Sequence, residues 1–262
     1  MSSDPITIAH RSLCLTESAF LKHFKQGRFQ LREGIAFTGN ELPGPGFNFA
    51  ACLEPSLPPL SRIVEMGREF FGPVDSSWGI LVQGGAGHPL EKEMQNSGWT
   101  IAEDEPAYVF TPLPTSTNRD APSLPIRPVR TEADRRSFQR ICTIAYQAPA
   151  ELADLIMPSL AFATDPHMGW FLVEKQGEPV ACGGYYRSEQ TAVICCLATL
   201  PEARGQGLGK QLIQHCLDHA IERGCRHASL RSGPLSIPLY ERAGFRYVCQ
   251  HRTYTMPSRS NV

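Results

Sequence analysis

Nowhere in the 262-residue chain do 18 consecutive apolar residues occur, so no segment offers the uncharged length that a membrane-crossing helix requires. The N-terminal stretch MSSDPITIAHRSLCLTESAF also lacks a basic region followed by a long apolar one. The expectation is a cytoplasmic protein, neither exported nor inserted in a membrane. An excess of charge is missing as well: 25 Lys and Arg against 26 Asp and Glu leave a net charge of −1, which argues against nucleic acid as a partner. CxxC pairs are absent. Nine cysteines stand scattered at positions 14, 52, 142, 182, 195, 196, 216, 225 and 249, an odd and irregular set that reads as reduced thiols rather than a disulfide framework or a zinc site. What is present is 42% apolar residues, enough for one large packed domain or two modest ones with a small ligand.

The Pro-, Ser- and Thr-rich stretch TPLPTSTNRDAPSLP, residues 111 to 125, reads as a linker near mid-chain. It divides the chain into residues 1–115, a linker at 116–124 and residues 125–262. After it, LPIRPV reads as a short strand, and 131 to 146 and 149 to 160 as helices. Three apolar runs separated by KQGEP and RSEQ between 169 and 200 read as an antiparallel meander. From Leu208, apolar residues at 208, 212, 213, 216, 217, 220 and 221 define one face of a helix that Gly224 stops. A strand near 227 to 231, a helix from 235 to 242 and a last strand from 245 to 254 complete this half. The fold class is therefore α/β, a mixed sheet with helices on both faces.

The first half echoes the second. Pro55, Gly98-Trp99 and Tyr108 each stand 146 positions before Pro201, Gly244-Phe245 and Tyr254, and one constant offset across three landmarks points to internal duplication. At the same offset, Arg204, Gly207, Gly209 and Tyr240 are replaced by Pro58, Ser61, Ile63 and Met94. The first copy lacks the glycine loop.

That loop, PEARGQGLGKQL at 201 to 212, sets three alternating glycines behind an arginine where a helix begins. A helix N-terminus presents unpaired amides and a partial positive charge, and glycines let an anion approach them. A tight turn with glycines for packing alone is the plainer alternative, and the alternation behind Arg204 favours the anion. The spacing fits neither of two familiar phosphate loops. A P-loop needs Gly where Arg204 stands and Ser or Thr at Gln211; a dinucleotide fingerprint needs its third Gly at Lys210.

R-x-x-G-x-G after an antiparallel strand, together with PLYERAGF at 238 to 245, resembles the GNAT superfamily of acetyl-CoA-dependent N-acetyltransferases. The resemblance covers roughly residues 125 to 256. With the 146-residue echo, the whole chain looks like a tandem GNAT: a twisted mixed sheet flanked by helices, present as a full C-terminal copy and a shortened, degenerate N-terminal one. The resemblance implies that Arg204, Gly205, Gln206, Gly207, Leu208 and Gly209 hold the cofactor pyrophosphate. It also implies that Leu197, Ala198 and Thr199 pair their backbone with the pantetheine arm like an added strand. Where the family often has Asn, seven residues before the motif tyrosine, this chain has Gly233.

Acetyl transfer needs a neutral amine, a polarised thioester carbonyl and a proton for the departing thiolate. Tyr240 suits the last, since a phenol is protonated at neutral pH. By resemblance a backbone N–H near Leu197 polarises the carbonyl. The base is not legible: residues 191 to 199 contain no Asp, Glu or His, and Glu174 and Glu189 would act only through water, an exposed hairpin charge being the simpler reading of each. Cys195-Cys196 invites a covalent acetyl-cysteine reading against a stronger one as small core residues. His215 and His219, at i, i+4, read as a solvated face rather than metal ligands, and no metal is expected. Trp170, Tyr185 and Tyr186 are candidates for the acceptor pocket, although adjacent strand residues face opposite sides. The mostly apolar segment 145 to 168 leans towards a small amine acceptor. The expected protein is a small-molecule N-acetyltransferase, monomer or homodimer, with protein or peptide acetylation and a non-catalytic acyl-CoA sensor as competing readings.

Overall fold

A computed structural model describes residues 4–21, 23–24, 26–40, 44–46, 48–53, 57–72, 78–84, 88–115 and 124–256. In chain order its elements are α1 (Pro5–Leu21), β1 (Arg28–Arg32), β2 (Ile35–Gly39), β3 (Phe49–Cys52), α2 (Leu60–Phe71), β4 (Gly79–Gly84), α3 (Pro89–Asn96) and β5 (Thr100–Phe110). They continue with β6 (Ile126–Pro128), α4 (Glu132–Tyr146), α5 (Ala153–Ile156), α6 (Leu160–Ala163), β7 (Met168–Lys175), β8 (Glu178–Ser188) and β9 (Thr191–Thr199). The last are α7 (Leu208–Glu222), β10 (His227–Arg231), α8 (Ile237–Arg242) and β11 (Arg246–Thr255). Pro55 and the expected linker, except Leu124, lie outside the described residues. None of the described helices is long and apolar enough to cross a membrane.

Two compact units result, one of residues up to Ala107 together with the chain from Tyr247 onward, the other of Tyr108–Arg246. The expectation that the last strand closes the second half is thereby corrected. β11 pairs antiparallel with β4, Tyr254 opposite Ile80, and belongs to the first unit. The first unit's strands run β1-β2-β3-β4-β11-β5. Alternation along β2 sends Ile35 and Phe37 towards α2 residues Ile63 and Met66 with Tyr254, and Ala36 towards Cys14 of α1. Glu91 is buried here; Arg252 Nη1 and the Tyr254 hydroxyl each donate to its Oε1 at 2.7 Å.

In the second unit β7, β8 and β9 form the expected antiparallel meander, β6 pairs antiparallel with β7, and β10 joins β9 in parallel. The residues of β5 from Tyr108 onward belong to this unit, where Tyr108 enters the core and Leu113 N–H donates to Arg226 C=O at 2.8 Å. α7 buries Leu208, Leu212, Ile213, Cys216, Leu217 and Ala220, the face its spacing requires. On the other face Phe138 and Ile141 of α4 are fully buried. α4 begins at a capping box: Asp134 N–H donates to Thr131 Oγ1 at 3.2 Å, and Thr131 N–H returns to Asp134 Oδ2 at 2.9 Å. The single helix expected over 149 to 160 is instead a 3-10 turn at Ala150–Leu152 followed by α5 and α6. Pro158 forces the break, because the residue before a proline avoids helical torsions, and Met157 has φ −150° and ψ 86°.

Candidate functional site

The site begins where two parallel strands part. β9 and β10 keep register only from Thr191–His227 to Val193–Ser229, although β9 continues to Thr199. A bulge accompanies the parting. Against β8, Cys195 faces Gly184 and Ala198 faces Cys182, so Cys196 and Leu197 together oppose Gly183, and Cys196 takes φ +56°. A bulge twists and bends its strand, which turns the edge from Ile194 to Thr199 away from β10. A Cβ at Gly183 would come within 2.4 Å of Leu197 Cδ2 and 3.2 Å of Leu197 Cα, so the bulge demands a bare residue opposite it.

Next to that edge, a 3-10 turn at Pro201–Ala203 leads through Arg204 to α7. Gly205 and Gly207 have φ +75° and +77°, and Gly207 is the N-cap of α7 with no side-chain cap, leaving the first helical amides uncovered. A Cβ at either glycine would meet nothing within 4 Å. Their absence of side chains therefore serves backbone torsion and open approach, not packing. Gly209 differs: its Cβ would lie 3.2 Å from Leu239 Cδ2, so it also lets α8 approach α7. Gly207→Ala should cost about 1–2 kcal/mol through the left-handed torsion alone, read as a fall of several degrees in melting temperature. An unchanged melting temperature would mean that the turn relaxes to another conformation.

The Arg204 guanidinium donates to Thr199 C=O at 3.2 Å and to Ala145 C=O at 3.3 Å. Gln206 Oε1 accepts from Lys175 Nζ at 2.8 Å. Lys175, at the end of β7, carried no sequence signal, because its place beside the loop depends on the meander's pairing. Tyr146, the last residue of α4, was missed for the same kind of reason. Its hydroxyl donates to Leu197 C=O at 3.1 Å. Half of Tyr146 is exposed, but its hydroxyl turns inward, and enclosure, followed by Cys196, Cys142, Cys182 and Tyr240, raises its pKa.

Tyr240, on α8, is buried and meets Phe245 edge-on at 6.1 Å. Burial, reinforced by the neighbouring Cys195, Cys196 and Cys216, pushes its pKa up to about 12. The phenol therefore keeps its proton throughout the neutral range. Leu197, Ala198, Thr199, the loop and Tyr240 thus lie within one unit, at the edge of the parted strands and on the two helices beside it.

The acceptor candidates separate. Trp170 is buried: it stacks on Phe162 at 5.4 Å, meets Phe138 edge-on at 5.5 Å, and is 2% exposed. Tyr185 is likewise buried, on the α7 side, with its hydroxyl 2.7 Å from His219 Nδ1. Tyr186 is half-buried, its ring 6.5 Å from that of His167. His215 and His219 are not a solvated face; both lie edge-on to Phe171, at 4.5 and 5.1 Å. Among the described residues no group of His, Cys, Asp and Glu is arranged to hold a metal. Glu174 is engaged by Arg127 Nε at 2.6 Å, whose Nη1 also holds Asp134 at 2.5 Å. Burial acts to raise the Asp134 carboxyl, but the Arg130 amide and the Arg127 guanidinium outweigh it and hold its pKa below the usual value. Glu189 is an exposed hairpin residue at φ +53°.

Residues 133–245 match the model of the Acetyltransferase (GNAT) family. Among solved structures, the chain is similar to a GCN5-related N-acetyltransferase from Kribbella flavida, at 19% identity and TM-score 0.74 over 98% of this chain and 97% of that one. A GCN5-related N-acetyltransferase from Sphaerobacter thermophilus matches at 14% identity and TM-score 0.61 over 98% and 94%. A tandem GNAT protein from the clavulanic acid biosynthesis pathway matches at 12% identity and TM-score 0.65, again over 98% and 94%. At these identities the likeness is one of fold. No curated protein matches the chain.

Proposed function

We propose that the protein transfers an acetyl group from acetyl-CoA to the primary amine of a small molecule, since residues 133–245 match the model of the Acetyltransferase (GNAT) family, whose fold supports acyl transfer from acyl-CoA. The observation that carries this reading is the parting of β9 from β10 beside a glycine-capped helix. An extended pantetheine arm fits the edge from Leu197 to Thr199 once it displaces the Tyr146 hydroxyl and the Arg204 guanidinium from the Leu197 and Thr199 carbonyls, and a pyrophosphate fits the open ground over Gly205 and Gly207, where even a Cβ would meet no atom within 4 Å. Arg204, Gln206 and the amides of Leu208 and Gly209 complete that cradle.

In the reaction the amine nitrogen attacks the thioester carbonyl in a ternary complex, a C–N bond forms and the C–S bond breaks. A backbone N–H at the Cys196–Leu197 bulge steadies the carbonyl oxygen as it gains charge. Tyr240 gives its proton to the departing sulfur and regains one through solvent from the newly acylated nitrogen. With Glu174 paired to Arg127, the ammonium form of the amine gives its proton to solvent before attack. The mostly apolar segment 145 to 168 supports a small, partly apolar acceptor.

Calorimetric titration with acetyl-CoA tests the reading without knowledge of the acceptor. One site per chain is expected, since Pro58, Ser61 and Ile63 replace the loop in the first unit. Two sites would restore function to the first copy, and none would remove the proposal. Arg204→Ala should weaken coenzyme binding about tenfold, the scale of one charge-assisted contact; unchanged affinity would take the pyrophosphate away from this loop.

A further inference from the structure

The strand edge offered to the coenzyme arm is closed by two side chains of its own unit. Leu200 N–H donates to Val180 C=O at 2.9 Å, and Ala198 stands opposite Cys182, so residues 198 and 200 turn their polar groups towards β8. Alternation then points the carbonyls of Leu197 and Thr199 away from β8. Each accepts a bond there: the Tyr146 hydroxyl donates to Leu197 C=O at 3.1 Å, and Arg204 Nε donates to Thr199 C=O at 3.2 Å. The two acceptors are two residues apart, the interval at which an added strand presents its own donors. Arg204 Nη2 also reaches Ala145 C=O at 3.3 Å. The last turn of α4, the glycine loop and the strand edge are thus tied by one series of contacts.

We propose that Tyr146 is an autoinhibitory residue of the coenzyme site, an internal competitor whose hydroxyl holds Leu197 C=O until an amide N–H of the incoming arm replaces it. The proposal rests on the coenzyme reading given above. In the free protein the hydroxyl satisfies a backbone acceptor that would otherwise be left without a protein donor. On binding, one donor is exchanged for another. The arm therefore gains less from this carbonyl than it would from an open edge, and coenzyme affinity is held below what the edge could supply.

The surroundings let the hydroxyl leave without moving the core. Tyr146 is the last residue of α4, half of it is exposed, and Gln147 caps the helix in the left-handed region at φ +54°. Phe138, Ile141 and Cys142, earlier on the same helix, are fully buried and anchor it. Rotation of one terminal side chain is enough to clear the carbonyl. Enclosure also raises the pKa of the phenol, so it remains a donor throughout the neutral range.

The test titrates acetyl-CoA calorimetrically into wild type and Tyr146→Phe, and follows fluorotyrosine-labelled protein by fluorine NMR. The variant should bind about fivefold more tightly, the scale of one neutral hydrogen bond taken from the free state. That sign is opposite to the one expected for Arg204→Ala, whose charge also serves the pyrophosphate. The fluorine signal absent from Tyr146→Phe belongs to Tyr146, and in wild type it should shift when acetyl-CoA is added. Equal affinity would make the hydroxyl a structural contact only, weaker binding would make it a coenzyme ligand, and an unmoved signal would show that the contact survives binding; each overturns the proposal. Binding by neither protein would overturn the coenzyme site and the competitor with it, whereas binding by wild type with no gain in the variant overturns the competitor alone.

Discussion

Tyr240→Phe lowers turnover by about 100-fold, the lower end of what a positioned general acid contributes, and changes coenzyme affinity by less than about twofold. The substitution removes one oxygen and keeps the ring that packs on Phe245, so the loss isolates the proton. The pH dependence follows from burial, which raises the phenol to about 12. Tyr240 stays protonated as pH rises through the neutral and mildly alkaline range, and wild-type turnover should show no alkaline fall belonging to it below about pH 10. The same raised pKa makes a statement on stability. The folded state holds this proton more tightly than the unfolded chain does, so the contribution is complete below about pH 10 and is lost as pH climbs towards the folded value. Steady-state kinetics of the variant with any accepted amine, beside a coenzyme titration, decides the assignment; full activity would transfer the acid role to another group, with Tyr146 the first to examine.

Arg252→Met destabilises the first unit by about 3 kcal/mol, the scale for leaving one partner of a buried ion pair behind. Glu91 is 5% exposed, and its Oε1 accepts from both Arg252 and Tyr254. Both donors come from β11, which lies between β4 and β5. Without the guanidinium the carboxylate loses its charged partner while keeping the Tyr254 hydroxyl, and the strand loses part of what fixes its register. Thermal unfolding should show the first unit melting earlier while coenzyme binding in the second is kept. Glu91→Gln combined with Arg252→Met removes the stranded charge and should recover a large share of the loss. If the single variant melts with wild type, the pair is energetically neutral and pairing with β4 and β5 holds the strand.

Much of the second unit could be read from spacing. α7 follows from a 3.6-residue apolar period ended by a glycine, β10 from the alternation that sets Ala228 and Leu230 on one face, and α4 from a Thr–Asp pair three residues apart. The glycine loop was legible because torsion and bare approach restrict residue type strongly, and Gly205 and Gly207 have the positive φ that only glycine adopts freely. The 146-residue echo is matched in the folded chain: α2, β4, α3 and β5 recur, shifted by about that interval, as α7, β10, α8 and β11. The burial of Trp170 and Tyr185 was not legible, because an aromatic residue on a strand reads alike whether it lines a pocket or fills a core.

The sequence by itself determined most of the elements, the mixed α/β class, the glycine loop at the start of α7 and the absence of such a loop from the first half, because each depends on local torsion, period or residue type. Only the tertiary structure decided where β11 belongs, that β9 bulges at Cys196 and parts from β10, and that Tyr146, Lys175 and three cysteines gather around that parting. The physical reason is the same in each case. A strand's alternation shows which of its faces is apolar, but not whose edge its backbone will bond or at which residue the register slips, and every neighbour across a sheet is set by those two choices.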